Sequence, residues 1–198
     1  MPRYLSDFTN ITSTKHNLRH WQAGEVACFV TFHLRDSIPR KLRDQYEVER
    51  LEWLERHPEP WNDVAELEYY REFPAKLLKL MDAGYGECVL GREDSRAAAE
   101  EVLRKFDGVR FKLHAFVVMG NHIHVLFSPL GANKVVELVK AWKGVIAKRV
   151  NEIMGRSGSI WDDEYFDRLI RDAAHFKRVV SYIRNNDLAK AWVEDKEG

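Results

Sequence analysis

The chain has 198 residues, 45% of them hydrophobic and 31% charged, and its formal net charge is zero. This composition excludes an intrinsically disordered protein and predicts a globular chain that buries a sizeable core. No apolar run approaches membrane-spanning length and no signal pattern opens the chain, so a cytoplasmic protein without a membrane partner is expected.

Charge is unevenly distributed along the chain. Residues 41–107 carry 11 Lys/Arg and 17 Asp/Glu, whereas residues 108–161 carry 8 Lys/Arg and 2 Asp/Glu. An acidic, solvated segment beside a basic face is expected from this asymmetry.

The first half of the chain predicts one strand followed by a long helical segment. Residues 26–35 are rich in β-branched and aromatic residues, as is typical of a strand. Residues 40–81 are dense in Glu, Arg, Leu and Lys and predict a charged helical insertion, in which Pro74 marks a break or a new start. The acidic charge of this insertion argues against contact with DNA.

The second half predicts a strand pair followed by helices. After a helix over 96–106, residues 110–127 predict two strands, and residues 134–154 predict a long basic helix capped by Asn133. Asp172 is predicted to cap a last helix, 175–186. Together these elements predict one α+β domain over 1–198, with an antiparallel sheet, helices on one face and the insertion at 40–81.

Two histidines and a tyrosine carry the chemical signal. His122 and His124 lie on one face of a strand, where two imidazoles are suited to share one metal ion. Ordinary polar residues on a half-exposed strand would give the same spacing. Tyr182 and Asn186 lie one turn apart on the last helix, and a half-buried packing role also fits the tyrosine.

These residues stand in motifs that resemble a known family. Residues 119–127, Met-Gly-Asn-His-Ile-His-Val-Leu-Phe, resemble the HUH motif of single-tyrosine transposases of the insertion-sequence type. The aromatic segment 160–171 and the run Tyr-Ile-Arg-Asn-Asn at 182–186 resemble the branch called REP-associated tyrosine transposases. The similarity covers about residues 20–36 and 84–192, and the three motifs in this order are specific. The family usually has proline where Gly120 stands.

The resemblance implies a fold, an activity and a set of site residues. It implies a ferredoxin-like sheet and a metal-dependent endonuclease and strand transferase. That enzyme cleaves single-stranded DNA at or near a REP-like hairpin through a 5′-phosphotyrosine intermediate. In this interpretation Tyr182 is the nucleophile, His122 and His124 bind a divalent metal, and Asn186 completes the ligands. Mg²⁺ or Mn²⁺ is expected, no nucleotide cofactor is needed, and the branch favours a monomer.

Five cations on and after the basic helix are predicted to hold the DNA backbone: Lys140, Lys143, Lys148, Arg149 and Arg156. Two alternatives stay open. The first is a catalytically silent relative that binds hairpin DNA, against which the intact His122, His124, Tyr182 and Asn186 argue. The second is a metallohydrolase of small phosphodiesters with a structural Tyr182, for which an extended basic helix has no use.

Overall fold

The computed structural model describes residues 2–7, 12–15, 19–58, 60–186 and 191–194. The strands are β1 (Thr12–Lys15), β2 (Arg19–Gln22), β3 (Cys28–His33), β4 (Phe111–Val118), β5 (His122–Pro129), β6 (Phe166–Leu169) and β7 (Trp192–Val193). The helices are α1 (Arg40–Arg56), α2 (Asp63–Asp82), α3 (Glu93–Arg104), α4 (Val135–Met154) and α5 (Ala173–Asn186). None of the described helices is long and apolar enough to cross a membrane.

The central sheet is antiparallel and has five strands in the order β6-β3-β5-β4-β7. Without β7, the strands lie side by side in the order β6-β3-β5-β4. Numbered along the chain, these four strands have the order 4-1-3-2, and α3 and α4 are the connecting helices. This is the ferredoxin-like arrangement, and it confirms the predicted α+β class. β1 and β2 form a separate two-stranded hairpin.

The sheet is covered on both faces because alternate residues of its strands point in opposite directions. One face carries Val30, Phe32 and Val125, which form one buried cluster with side chains of α3 and α4. The other face carries Phe29 and Leu126, which form a second cluster with side chains of α5. The prediction of helices on one face of the sheet thus holds for α3 and α4 and was wrong for α5, which covers the opposite face.

The helical insertion is a hairpin with its own small core. Tyr46, Trp53 and Phe73 form a buried aromatic cluster between α1 and α2. The predicted break at Pro74 was wrong, since Pro74 lies inside α2. A proline removes one helical hydrogen bond, and burial of the adjacent Phe73, 1% exposed, stabilises the helix across this position.

The two predicted caps had different outcomes. Asp172 is confirmed as the cap of α5, because its Oδ1 accepts a hydrogen bond from the backbone N–H of His175 at 2.7 Å. The prediction that Asn133 caps α4 was wrong. Its Nδ2 donates to the Leu130 carbonyl and its Oδ1 accepts from Arg110, so the amide holds the preceding turn instead.

Candidate metal centre and active site

The two motif histidines lie on the face of the sheet that α5 covers. In the register of β3 and β5, Thr31 stands opposite His124 and His33 opposite His122. His122 is 1% exposed and His124 is fully buried. Their Nε2 atoms lie 3.1 Å apart, so both rings direct the same nitrogen toward one point.

Asn121 determines which nitrogen of His122 is free. Its Nδ2 donates hydrogen bonds to the carbonyls of Met81 and Tyr85, which turns Oδ1 toward His122 Nδ1 at 2.8 Å. Because that oxygen can only accept, His122 carries its proton on Nδ1 and keeps a lone pair on Nε2. A histidine held in this tautomer is prepared to ligate a metal through Nε2.

His124 is held in a similar way. Its Nδ1 lies 2.7 Å from Thr31 Oγ1. This oxygen can accept a hydrogen bond from Nδ1–H, which leaves the lone pair of Nε2 available to a metal. Burial lowers the pKa of His122 to about 3 and the pKa of His124 well below its usual value. Both imidazoles are therefore neutral at physiological pH, which is the state that binds metal.

A carboxylate completes a group of three metal-ligating side chains. Asp82 lies at the end of α2, and its Oδ1 is 3.5 Å from His122 Nε2. One ligand atom from each of Asp82, His122 and His124 lies within 4.8 Å of the others. Two ligands about 2.1 Å from one ion on perpendicular axes are about 3 Å apart, so this donor set fits a divalent cation.

Tyr182 stands directly beside this group. Its hydroxyl oxygen lies 3.3 Å from His124 Nε2, and its ring packs edge-on against Phe29 with centroids 6.0 Å apart. Burial and the negative charge of Asp82 raise the pKa of the phenol to about 12, and the Asn186 side chain opposes this rise. The free phenol is therefore protonated at neutral pH.

The predicted third ligand, Asn186, lies one turn beyond Tyr182 on α5. Its Nδ2 donates a hydrogen bond to the Tyr182 carbonyl at 3.0 Å, and the side chain is half-buried. Its role as a metal ligand stays a prediction. The carboxylate of Asp82, which the sequence did not indicate, is the third ligand that the geometry offers.

Comparison with known proteins identifies the family of the chain. The family model described as Transposase IS200 like matches residues 85–186, just over half of the chain. The chain belongs to the IS200-like transposase family. The matched segment contains both histidines and Tyr182 of the site described above, whereas Asp82 lies outside it.

Two solved structures resemble the chain. One is the REP-associated tyrosine transposase bound to a REP hairpin, 18% identical, with a TM-score of 0.47 over 88% of this chain and 74% of that one. The other, from Deinococcus radiodurans, is provisionally assigned as a transposase; it is 13% identical, with a TM-score of 0.35 over 83% and 93%. Both TM-scores lie below 0.5, so family membership depends on the sequence match. Comparison with curated proteins gives no match.

The surroundings of Gly120 leave little room for a side chain. A Cβ at position 120 would lie 3.1 Å from Cys88 Cβ and 3.4 Å from Cys88 Sγ. The same segment is hydrogen-bonded to the motif, since Leu90 N–H donates to the Gly120 carbonyl at 3.1 Å. The entry to the HUH motif is thus packed against residues 88–90, and proline would bring a Cβ into that contact.

We expect Gly120→Ala to lower the free energy of unfolding by about 1–3 kcal/mol through overpacking against Cys88. In a Cys88→Gly background the same change becomes neutral or stabilising, because the opposing Cβ and Sγ are gone and alanine restricts the unfolded chain. Cys88 has a positive φ of 53°, which glycine adopts readily. Urea denaturation of the four proteins tests this, and an equal cost in both backgrounds would contradict the steric explanation.

The five cations predicted to hold DNA lie on or next to α4, across the sheet from the histidines. Most have partners within the chain. Lys143 Nζ donates to the carbonyls of Asp162 and Asp163, Arg149 pairs with Glu101, and Arg156 pairs with Glu87. Lys148 lies 3.9 Å from Glu152. Lys140 makes no ion pair with any described residue. Their contact with DNA stays a prediction.

A second set of cations lies on the same side of the sheet as Tyr182. Arg171, Lys177, Arg178 and Arg184 are exposed, and within the described ranges none of them forms an ion pair. Burial, together with the positive charges of Arg168, Arg171 and Arg178, lowers the pKa of His175 to about 4. α5 and the residue before its cap thus carry four exposed cations: Arg171, Lys177, Arg178 and Arg184.

Proposed function

We propose that the protein is a metal-dependent nicking and joining enzyme of single-stranded DNA, acting at or near a REP-like hairpin through a 5′-phosphotyrosine on Tyr182. One observation carries this proposal. The Tyr182 hydroxyl lies 3.3 Å from His124 Nε2, beside the nitrogens and the carboxylate suited to hold a divalent cation. A phenol oxygen at this distance from the ligand nitrogens would be placed to attack a phosphate held by the same cation.

His122, His124 and Asp82 would hold Mg²⁺ or Mn²⁺, with Asn186 as a further candidate ligand. When bound, the cation neutralises negative charge that develops on the phosphate oxygens during attack. Two imidazoles favour Mn²⁺ over Mg²⁺ on grounds of ligand softness. Asn121 and Thr31 contribute by holding the two rings in the metal-binding tautomer.

The reaction is a transesterification at phosphorus. The Tyr182 oxygen forms a bond to the phosphorus as the bond from phosphorus to the 3′-oxygen breaks, and the phenol proton is lost while the 3′-oxygen gains one. Phe29 holds the phenol ring edge-on, which restricts its approach to the phosphate. A later 3′-hydroxyl reverses the step, so strand joining needs no nucleotide cofactor.

The exposed cations of α5 are the better placed candidates for the DNA backbone, because they lie on the helix that carries Tyr182. We expect Lys177→Gln, Arg178→Gln and Arg184→Gln together to reduce the slope of log affinity against log salt by about 0.7 for each phosphate that the protein no longer neutralises. The matched change, Lys140→Gln with Lys148→Gln on α4, is expected to alter the slope less. Fluorescence anisotropy with a hairpin-flanked single strand measures both slopes, and the reverse ranking would favour the α4 surface.

Strand-specific labelling tests the function. Hairpin-flanked single-stranded DNA, labelled at the 5′ or the 3′ end, is incubated with the full chain and Mn²⁺ and separated under denaturing conditions. We expect the 3′-labelled fragment to migrate with the protein and the 5′-labelled fragment to end in a 3′-hydroxyl that a polymerase extends. Retardation on a native gel with no adduct across varied hairpins would contradict the proposal and favour a silent binder. Turnover of a small phosphodiester without any adduct would favour the metallohydrolase.

A further inference from the structure

A cavity of about 290 Å³ lies next to the candidate metal centre, between the helical hairpin and the sheet. β3 contributes Thr31 and His33, whose positions in the register stand opposite His124 and His122. The hairpin contributes Met81, the residue before Asp82. The cavity and the metal-ligating group therefore share their walls. Its volume lies at the lower end of the range for small-molecule pockets, about 300–1,000 Å³, which suits one ring system rather than a stacked pair.

His33 presents a hydrogen-bond acceptor in this cavity. Its Nδ1 lies 3.0 Å from the Leu34 carbonyl and 2.7 Å from Ser37 Oγ. Because a carbonyl only accepts, Nδ1 carries the proton and Nε2 has the lone pair. The side chain is 6% exposed, and its Nε2 has no hydrogen-bond partner among the described residues. His33 lines the cavity, so this nitrogen is open to a donor that enters it.

The remaining walls are flat and apolar, with acceptors rather than free cations. Tyr46, Tyr165 and Phe166 supply aromatic surface. Glu164 adds a half-buried carboxylate that makes no ion pair with any described residue. The cation of the lining, Arg43, is engaged through its terminal nitrogens with the Arg35 carbonyl and with Asp162, and its buried Nε makes no hydrogen bond to a described residue. A phosphate would meet mainly carboxylates here, whereas a flat ring with N–H donors would meet aromatic faces and acceptors.

We propose that this cavity receives one unstacked base of the DNA strand, next to the phosphate that Tyr182 attacks. Its two acceptors, His33 Nε2 and the Glu164 carboxylate, favour a base whose exocyclic amine supplies two N–H donors, namely guanine, adenine or cytosine, over thymine, whose single N3–H satisfies only one of them. Reading an unstacked base by stacking and by hydrogen bonds to its edge is an established way to recognise single strands. The inference rests on the proposed function, because it assumes that DNA is the substrate.

The test uses the four deoxynucleosides, which carry no phosphate, as probes of the full chain labelled with ¹⁵N-histidine. We expect deoxyguanosine, deoxyadenosine and deoxycytidine to shift the His33 ring nitrogens saturably, and thymidine to bind about tenfold more weakly. His33→Phe and Glu164→Gln should each weaken binding of the amine-bearing nucleosides about tenfold. Glu152→Gln, a matched change on the exposed face of α4, should leave binding unchanged.

Equal binding of all four nucleosides, no binding up to their solubility limit, or equal effects of Glu164→Gln and Glu152→Gln would overturn the proposal. The adduct assay on the same preparations separates this outcome from failure of the proposed function. An adduct without nucleoside selectivity contradicts only the base pocket. Selective nucleoside binding without any adduct supports the pocket and contradicts the nicking activity.

Discussion

His124→Ala is expected to lower the affinity of the protein for Mn²⁺ by more than about 100-fold and to abolish the covalent DNA adduct. The imidazole supplies one of two convergent Nε2 ligands, and even the loss of a partner outside the ligand shell costs about 10–100-fold in metal affinity. The change also removes the group against which the Tyr182 hydroxyl lies. Isothermal titration with Mn²⁺ measures the affinity without any need for DNA.

The matched control for this variant is His114→Ala. His114 is 4% exposed, and its Nε2 lies 3.0 Å from Ser128 Oγ, so both variants remove a buried, hydrogen-bonded imidazole from the sheet. Each is expected to be destabilised by about 2 kcal/mol, and only His124→Ala should lose Mn²⁺. Undiminished binding by His124→Ala, or an equal loss in His114→Ala, would contradict the assignment of the metal centre.

Asp82→Ala is expected to weaken Mn²⁺ binding by about 10–100-fold, since it removes the one anionic ligand of the proposed group. The Mn²⁺ affinity of Asp82→Asn should lie between those of Asp82→Ala and the parent, because asparagine keeps an oxygen ligand and loses the charge. Asp44→Ala on exposed α1 removes a carboxylate that is 3.7 Å from Arg40 and should leave the affinity unchanged. A Mn²⁺ affinity of Asp82→Ala within about twofold of the parent would leave Asn186 as the better third ligand.

These two experiments also bear on the role of the helical hairpin. Asp82 ends α2, and the preceding Met81 carbonyl accepts a hydrogen bond from Asn121, the residue before His122. The hairpin is thus attached to the HUH motif at the point where the metal would lie. An acidic segment that looks like a solvated insertion in the sequence thus contributes Asp82 to the candidate metal centre.

The sequence was a good guide wherever a local pattern determined the structure. The alternation of His122 and His124 within an apolar strand placed both rings on one face, and Asp172 capped α5 as its residue type indicates. The helical spacing of Tyr182 and Asn186 put both at the same end of α5. Each of these positions depends only on a few neighbouring residues, so the periodicity of a strand or helix, or the residue type at a cap, is enough to predict it.

Other features depended on tertiary interactions that no local pattern encodes. Asp82 is 40 residues from His122 in the chain and reaches it only because the hairpin docks on Asn121. Gly120 is explained by its approach to Cys88, and Asn133 was recruited by Arg110 instead of capping α4. The positive charge of α4 indicated its lysines as DNA contacts. In the structure most of these cations have partners within the chain, and α4 lies on the face of the sheet opposite Tyr182.

The most direct test of the central claim is peptide mapping of the covalent protein–DNA adduct by mass spectrometry. We expect the DNA 5′-phosphate to be attached to the peptide containing Tyr182, and formation of the adduct to require a divalent cation. Tyr182→Phe should form none, whereas Tyr85→Phe, which removes an exposed hydroxyl and keeps the backbone carbonyl that accepts from Asn121, should form as much as the parent. An adduct on any other residue, or one that persists in Tyr182→Phe, would contradict the claim.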